Sequence, residues 1–333
     1  MTFRFSRRAL IFVFTLFSVP PVQALEFKIA TLSPDGSFWM QKLREGADTI
    51  AEKTNNRVSF KFYPGGAMGD SKTVFRKMQF GQLHGAALTN GSLTTLYPDI
   101  QLYNLLLKFQ SLEEIDYIRQ HMDSELSRGL EEKGLVALGF SEIGFAYLMS
   151  KQAIANINDL RHRKVWVPEN NNVALAAFNA LSVAPIPLPI RDVLVGLQTG
   201  MIDVVTGSPI GALALQWHTQ IEYVTDLPLS YIFGVLFVDS KTFERLTPQD
   251  QAVVKEVMAA IIRQVDGHSR EDNINALTAI RNQGIKFVKP EPEAAEQLRL
   301  LVDKANLKLV ETGKLSTAKI ERLNRLLADF RAR

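Results

Sequence analysis

The side chains that could do chemistry are few and scattered. The five histidines, His84, His121, His162, His218 and His268, include no pair at metal-ligand spacing. Adjacent acids, Glu113-Glu114 and Glu131-Glu132, fall on expected helix surfaces, where a solvated face explains them better than general acid/base work. No G-x-S-x-G elbow, P-loop or G-x-G-x-x-G occurs. Gly65-Gly66 and Gly69 precede an expected helix, and a turn accounts for them. These residues describe no nucleophile, no metal centre and no phosphate cradle. The chain is therefore expected to bind rather than to catalyse, without metal or cofactor.

The elements that would hold a binding site are more regular. Segments 27–32, 58–63 and 86–89 read as strands, with helices over 38–53 and 71–81 between them. That β-α-β-α-β order implies a parallel sheet covered by helices. The pattern restarts with strands at 135–140 and 145–149 and another ending at Trp166. A helix follows over 173–181, an extended segment over 185–189, a helix over 191–200 and a strand over 202–206. Residues 231–238 form a strongly β stretch that could return the chain to its first half. Residues 248–284 carry a helix long enough to cross two domains, and 291–333 read as charged, amphipathic helix.

The first 24 residues read as a secretory leader: Arg4, Arg7 and Arg8, an apolar run from Ala9 to Val19, and a cleavage site ending at Ala24. Without those three arginines, 35 basic residues face 35 acidic ones, so the basic pI is no argument for nucleic acid. Export and the absence of cysteine point to the bacterial periplasm. About 309 remaining residues exceed one comfortable core. The expected fold is α/β, two domains around a central cleft, with a long helix spanning both. The expected division puts 25–143 and 231–270 in domain I, and 144–230 and 271–333 in domain II. Ligands of such lobes gather at the carboxyl ends of strands.

Four segments resemble one family in its own order. INDLRHRKVWVPEN (157–170) resembles the "dL-G-kK-R-vP" segment of the DctP-type solute receptors of TRAP (tripartite ATP-independent periplasmic) transporters. VLVGLQTGMID (193–203) resembles their "v-y-x-A-L-q-x-G-x-v-D-G", FYPGGAMGD (62–70) their "yP-x-x-q-L-G", and LTPQDQ (246–251) their "L-s-p-e-d-q". The resemblance implies a receptor that closes around a small-molecule solute and delivers it to permease membrane subunits. A carrier or sensor co-receptor of the same fold is the alternative.

The resemblance also implies ligand positions. The family's carboxylate-binding arginine before V-P falls on Trp166, and the arginine of its "G-x-R" segment on Ala146. The strand end near its "D-G-x-x-N-P" falls on Ser208 or Gly207, and that of the first domain on Thr89 and Asn90. Asp70, Trp39, Ile190 and Asn170 complete the expected ligand-binding set. Capping is a second reading of Asp70, and packing on the sheet a second reading of Trp39. Without a guanidinium, a buried carboxylate would cost several kcal/mol of desolvation, about what an unpaired ion loses. Trp166 offers one N–H and an apolar face. It either lines the pocket, favouring a neutral, more apolar or cationic solute over a simple dicarboxylate, or fills core space. Arg191, Lys72 and Arg76 lie near loops that can face the cleft and supply a compensating cation, or remain solvated.

Overall fold

The computed structural model describes residues 24–169 and 171–333. The expected leader, apart from Ala24, and Asn170 lie outside them. The first half runs β1 (Leu25–Thr31), α1 (Phe38–Lys53), β2 (Val58–Tyr63), α2 (Ser71–Gln79), β3 (Gly85–Thr89) and α3 (Leu112–Glu131). Then come β4 (Leu135–Ser150), α4 (Ile157–Arg161), β5 (Trp166–Pro168), α5 (Asn172–Ala180), β6 (Ile186–Leu188), α6 (Val193–Thr199), β7 (Val204–Gly207) and α7 (Pro209–Ala214). The chain finishes with β8 (Tyr223–Thr225), β9 (Ser230–Asp239), α8 (Ser240–Phe243), α9 (Pro248–Asn282), β10 (Lys286–Val288), α10 (Pro292–Glu311) and α11 (Thr317–Arg331). Among the described residues no helix is long and apolar enough to cross a membrane.

Local chemistry starts the helices where they start. Ser37 caps α1 through Met40 N, and Met40, Leu43, Ala47 and Ile50 form its buried face. Asp70 caps α2 through Thr73 N, and Thr247 caps α9 ahead of Pro248. Gly46 lets α1 approach α9, because a Cβ there would stand 2.8 Å from Ile261.

Two strands carry the chain between lobes. β1 pairs in parallel with β2 and with β3, making the first lobe's sheet. In the second lobe β5 and β6 are parallel, and a parallel bridge from Val165 to Val204 ties β5 to β7. The antiparallel pair of β4 and β9 joins the two, from Leu135↔Asp239 to Ala146↔Ser230. β4 then continues against β7 and β8. The two strands expected at 135–140 and 145–149 are thus one strand of 16 residues. Its polar centre and two glycines conceal that continuity. Register shifts occur at Ala137/Gly139 and Glu142/Gly144, and Gly144 adopts φ +109, which a side chain would strain.

α9 runs across this junction and is fastened to it by charge. Arg119 of α3 donates to Asp123 (3.1 Å), Asp266 of α9 (3.0 Å), the Phe140 carbonyl (2.6 Å) and Tyr231 Oη (3.3 Å). Arg270 grips Glu142 of β4 (Nη2–Oε2 2.7 Å) and Asp116 of α3 (Nη2–Oδ1 2.6 Å). Glu142 is 1% exposed, Tyr231 Oη also donates to it, and its own N–H donates to Asp266. Burial works against the Arg119 charge, but Tyr231, Asp123 and Asp266 more than offset it, and its pKa lies above the usual arginine value. Burial raises the Asp123 carboxyl.

The end of the chain departs from expectation. Instead of one helix over 291–333, α10 and α11 flank a break at Gly313, φ +69. α10 packs on α5, whereas α11 packs on α3. Arg331 forks onto Glu114 (2.6 and 3.0 Å), and Lys319 pairs with Asp99 at 2.7 Å. α11 thus pairs with Glu114 and Asp99, which precede β4 in the chain.

Replacing Arg119 with Met should lower unfolding stability by about 3 kcal/mol in urea titrations, because it leaves buried carboxylates without their cation. A loss below about 1 kcal/mol would mean the cluster is solvated. A second test concerns Asp250, whose carboxyl the Arg57 guanidinium (2.7 Å) holds below the usual range. A depressed carboxylate contributes stability above its unfolded pKa, about 3.9, and loses it as pH falls through the folded value. Stability of the wild type should therefore decline below about pH 4, and Asp250→Asn should flatten that part of the profile.

Candidate functional site: the interlobe cleft

Register alone locates the cleft. In the first lobe the carboxyl end of β3 is Thr89, which pairs with Gly234 of β9, itself opposite Ser141 of β4. In the second lobe the carboxyl end of β7 is Gly207, which pairs with Tyr147 of β4. Both sets of parallel strands therefore end against one stretch of β4, Ser141 to Tyr147. At about 3.3 Å per residue, the two rims stand at most about 20 Å apart along that stretch. This is room for one small solute, at the strand ends where α/β lobes take ligands.

The expected site residues fall into three groups. Three are engaged as structure. Asn90 is 1% exposed and donates to Asn104 Oδ1, whose own amide donates to the Tyr231 carbonyl at 2.7 Å. Ser208 is 3% exposed and caps α7 through Gly211 N, and the Ala146 methyl is buried. Four are at least partly accessible. Thr89 shares a hydrogen bond with Ser92 (3.3 Å), Trp39 Nε1 donates to Ser141 Oγ (3.3 Å), and Asp70 caps α2 (2.8 Å). Ile190, just beyond β6, is 38% exposed. Asn170 lies outside the described residues.

Trp166 stands apart. It is 2% exposed and packs edge-on against Trp217, with ring centroids 5.3 Å apart. Val193, Leu197, Ile202 and Val205 belong to the same core cluster. Its only donor, the indole N–H, is spent on the Leu188 carbonyl at 3.0 Å. In this conformation Trp166 has neither open surface nor a free hydrogen for a solute. In this conformation the ring packs in the core immediately behind the strand end. Trp217 also closes over Gly207, where a Cβ would sit 2.9 Å from the ring.

Other residues at the junction were not anticipated. Leu32, one residue past β1, is 41% exposed. Arg119, Glu142, Asp266 and Arg270 fasten the crossing strand from behind. One signal for them existed: α9 turns from apolar, 253–262, to polar over 263–275, as a helix leaving one core for another must. Among the described residues, no group of three or more His, Cys, Asp or Glu could hold a metal ion.

The geometry is that of a two-lobed receptor, and known proteins agree. The C4-dicarboxylate-binding periplasmic protein DctP of Rhodobacter capsulatus is 23% identical over 240 residues, covering 71% of this chain and 72% of its own. The 2,3-diketo-L-gulonate-binding periplasmic protein YiaO of Escherichia coli is 24% identical, covering 80% and 81%. A TRAP periplasmic solute-binding protein of Haemophilus influenzae with bound L-gulonate superposes with TM-score 0.84 at 14% identity, over 91% of this chain and 99% of that one. One from Desulfovibrio salexigens with bound orotic acid gives 0.82 at 18%, over 91% and 97%. Residues 29–311 match DctP, the bacterial extracellular solute-binding protein family 7, and the chain belongs to that family.

Proposed function

We propose that this protein is the periplasmic solute-capturing subunit of a TRAP transporter, and that it holds its solute without an arginine at the β4 and β5 strand ends. Family membership supports receptor, not enzyme, as its role. Delivery to the permease membrane subunits, and cleavage of the leader after Ala24, belong to the same proposal. Capture proceeds by closure of the lobes over the Ser141–Tyr147 stretch.

One observation carries the ligand reading. The two positions where the family resemblance implies arginine hold a buried methyl, Ala146, and a buried indole whose N–H is already taken, Trp166. Neither can neutralise a carboxylate. An anion desolvated between the closed lobes at those positions would go unpaired, at a cost of several kcal/mol of the order of a broken buried pair. A simple dicarboxylate is thus disfavoured there, and a more apolar solute is favoured. Trp166 contributes as an apolar wall one layer behind the surface.

A thermal-shift screen tests this. One panel holds succinate, malate and fumarate, and the other holds apolar and aromatic solutes. A ligand at a hundred times its Kd stabilises by about 2.7 kcal/mol, which a melting curve resolves. The second panel should shift the melting temperature and the first should not. Trp166→Arg should lower stability by several kcal/mol, about the penalty of an unpaired buried ion, without creating dicarboxylate affinity. A stable W166R variant that gains such affinity would show the side chain opens onto the cleft.

A further inference from the structure

We propose that Asn273 is a positioning residue of the cleft: its side-chain amide ties the second lobe's strand-end turn, 207–210, to the bulge of β4, and so sets how that rim stands relative to the crossing strand. The proposal rests on the receptor reading above and adds to it the residue that holds the second-lobe rim in place.

One half of the amide meets the bulge. Asp266, Arg270 and Asn273 follow one another at helical spacing on α9, and all three bond to β4. Asp266 accepts from Glu142 N, Arg270 holds the Glu142 carboxylate, and Asn273 Nδ2 donates to the Ile143 carbonyl at 2.8 Å. Glu142 stands opposite Phe233 and Gly144 opposite Ile232, which leaves Ile143 as the extra residue, outside the ladder with β9. Gly144 makes room for the amide, because a Cβ there would stand 2.8 Å from Asn273 Nδ2.

The other half reaches the rim. Asn273 Oδ1 accepts from Ile210 N at 3.3 Å. Ile210 lies in the first turn of α7, directly after Pro209, where a backbone N–H has no partner within its own helix. Ser208 takes the next N–H, that of Gly211. α7 follows β7 after Ser208 alone, and β7 ends at Gly207, on the cleft. The second hydrogen of Nδ2 goes to the Ser269 carbonyl at 2.8 Å, a contact within α9 that fixes the direction of the side chain. Two carbonyls need a donor and one N–H needs an acceptor, so a single orientation of the amide satisfies all three. A carboxylate in its place would keep the Ile210 bond but turn an oxygen on two carbonyls. A methyl would lose both ends.

The chain has no cysteine, so spin labels attach only where one is introduced. Phe80→Cys on the first lobe and Val195→Cys on the second, 74% and 57% exposed, carry the labels, and pulsed EPR gives the interlobe distance distribution without solute. Amide exchange at Ile210 is followed by NMR. In Asn273→Ala the Ile210 amide should exchange about tenfold faster, as a locally opened helix start does, and the distance distribution should broaden. In Asn273→Asp, which keeps the acceptor, Ile210 should stay protected while the distribution still broadens. Val254→Ala, in the buried core of the first lobe, should lower the melting temperature and leave both readings as in wild type. Distances unchanged in N273A and N273D overturn the proposal, as does Ile210 exchange unchanged in N273A. Equal broadening in V254A also overturns it, since the effect would then be one of general stability. Should N273A fail to fold, N273D alone decides. Neither reading uses a solute, so both can fail while the receptor reading, which stands on solute binding, holds.

Discussion

The antiparallel pair of β4 and β9 is the constraint from which the rest of the molecule follows. It crosses from one parallel sheet to the other, and both sheets end against it. Strands of both lobes pair with these two, which lie in the middle of one continuous strand order. A backbone so placed must be stiff enough to keep the lobes in register and able to change shape when they close. Two register shifts and a glycine at φ +109 interrupt its regular ladder. The Arg119 and Arg270 network supplies the stiffness, tying β4, α3 and α9 by hydrogen bonds to charged groups. Such a buried cluster adds little net stability against an apolar core of the same shape. Its value here is geometric, since it fixes which face of α9 meets the crossing strand.

Much of the fold could be read from local signals. Helical spacing marked α1, helical segments were read at α2 and α9, and alternation marked β2. The failures share one physical cause. β4 read as two strands because Ser141, Glu142 and Gly144 interrupt its apolar run, and what pairs with them lies about ninety residues further on, in β9. The terminal helix read as one piece because Gly313 is a weak stop, and what turns α11 aside is the attraction of Glu114 and Asp99 on the other lobe. Long-range partners decide both, and periodicity carries no information about them.

The site was readable to a lesser extent. Asp70 was expected as either cap or ligand contact; the cap is formed, and the residue still stands on the rim. Asn90 and Ser208 have a polar type that suits a ligand, yet Asn90 is committed to the Asn104 side chain and Ser208 to capping α7. Trp166 depends on Trp217, some fifty residues away, whose edge closes the space the ring would otherwise face. A position can thus be occupied by the wrong chemistry for a ligand and still shape its pocket, through the layer behind the surface. Leu32, Ile190 and Arg191, near the strand ends, do have surface to offer.

The most direct measurement is a crystal structure of the protein closed on the solute that co-purifies with it, identified by native mass spectrometry. The account predicts that Trp166 Nε1 stays on the Leu188 carbonyl and that no charged group of the solute lies against Ala146 or Trp166. The solute should instead rest between the two rims, its apolar part over Leu32 and Ile190. A carboxylate buried against Ala146, or an indole rotated to donate to the solute, would contradict it.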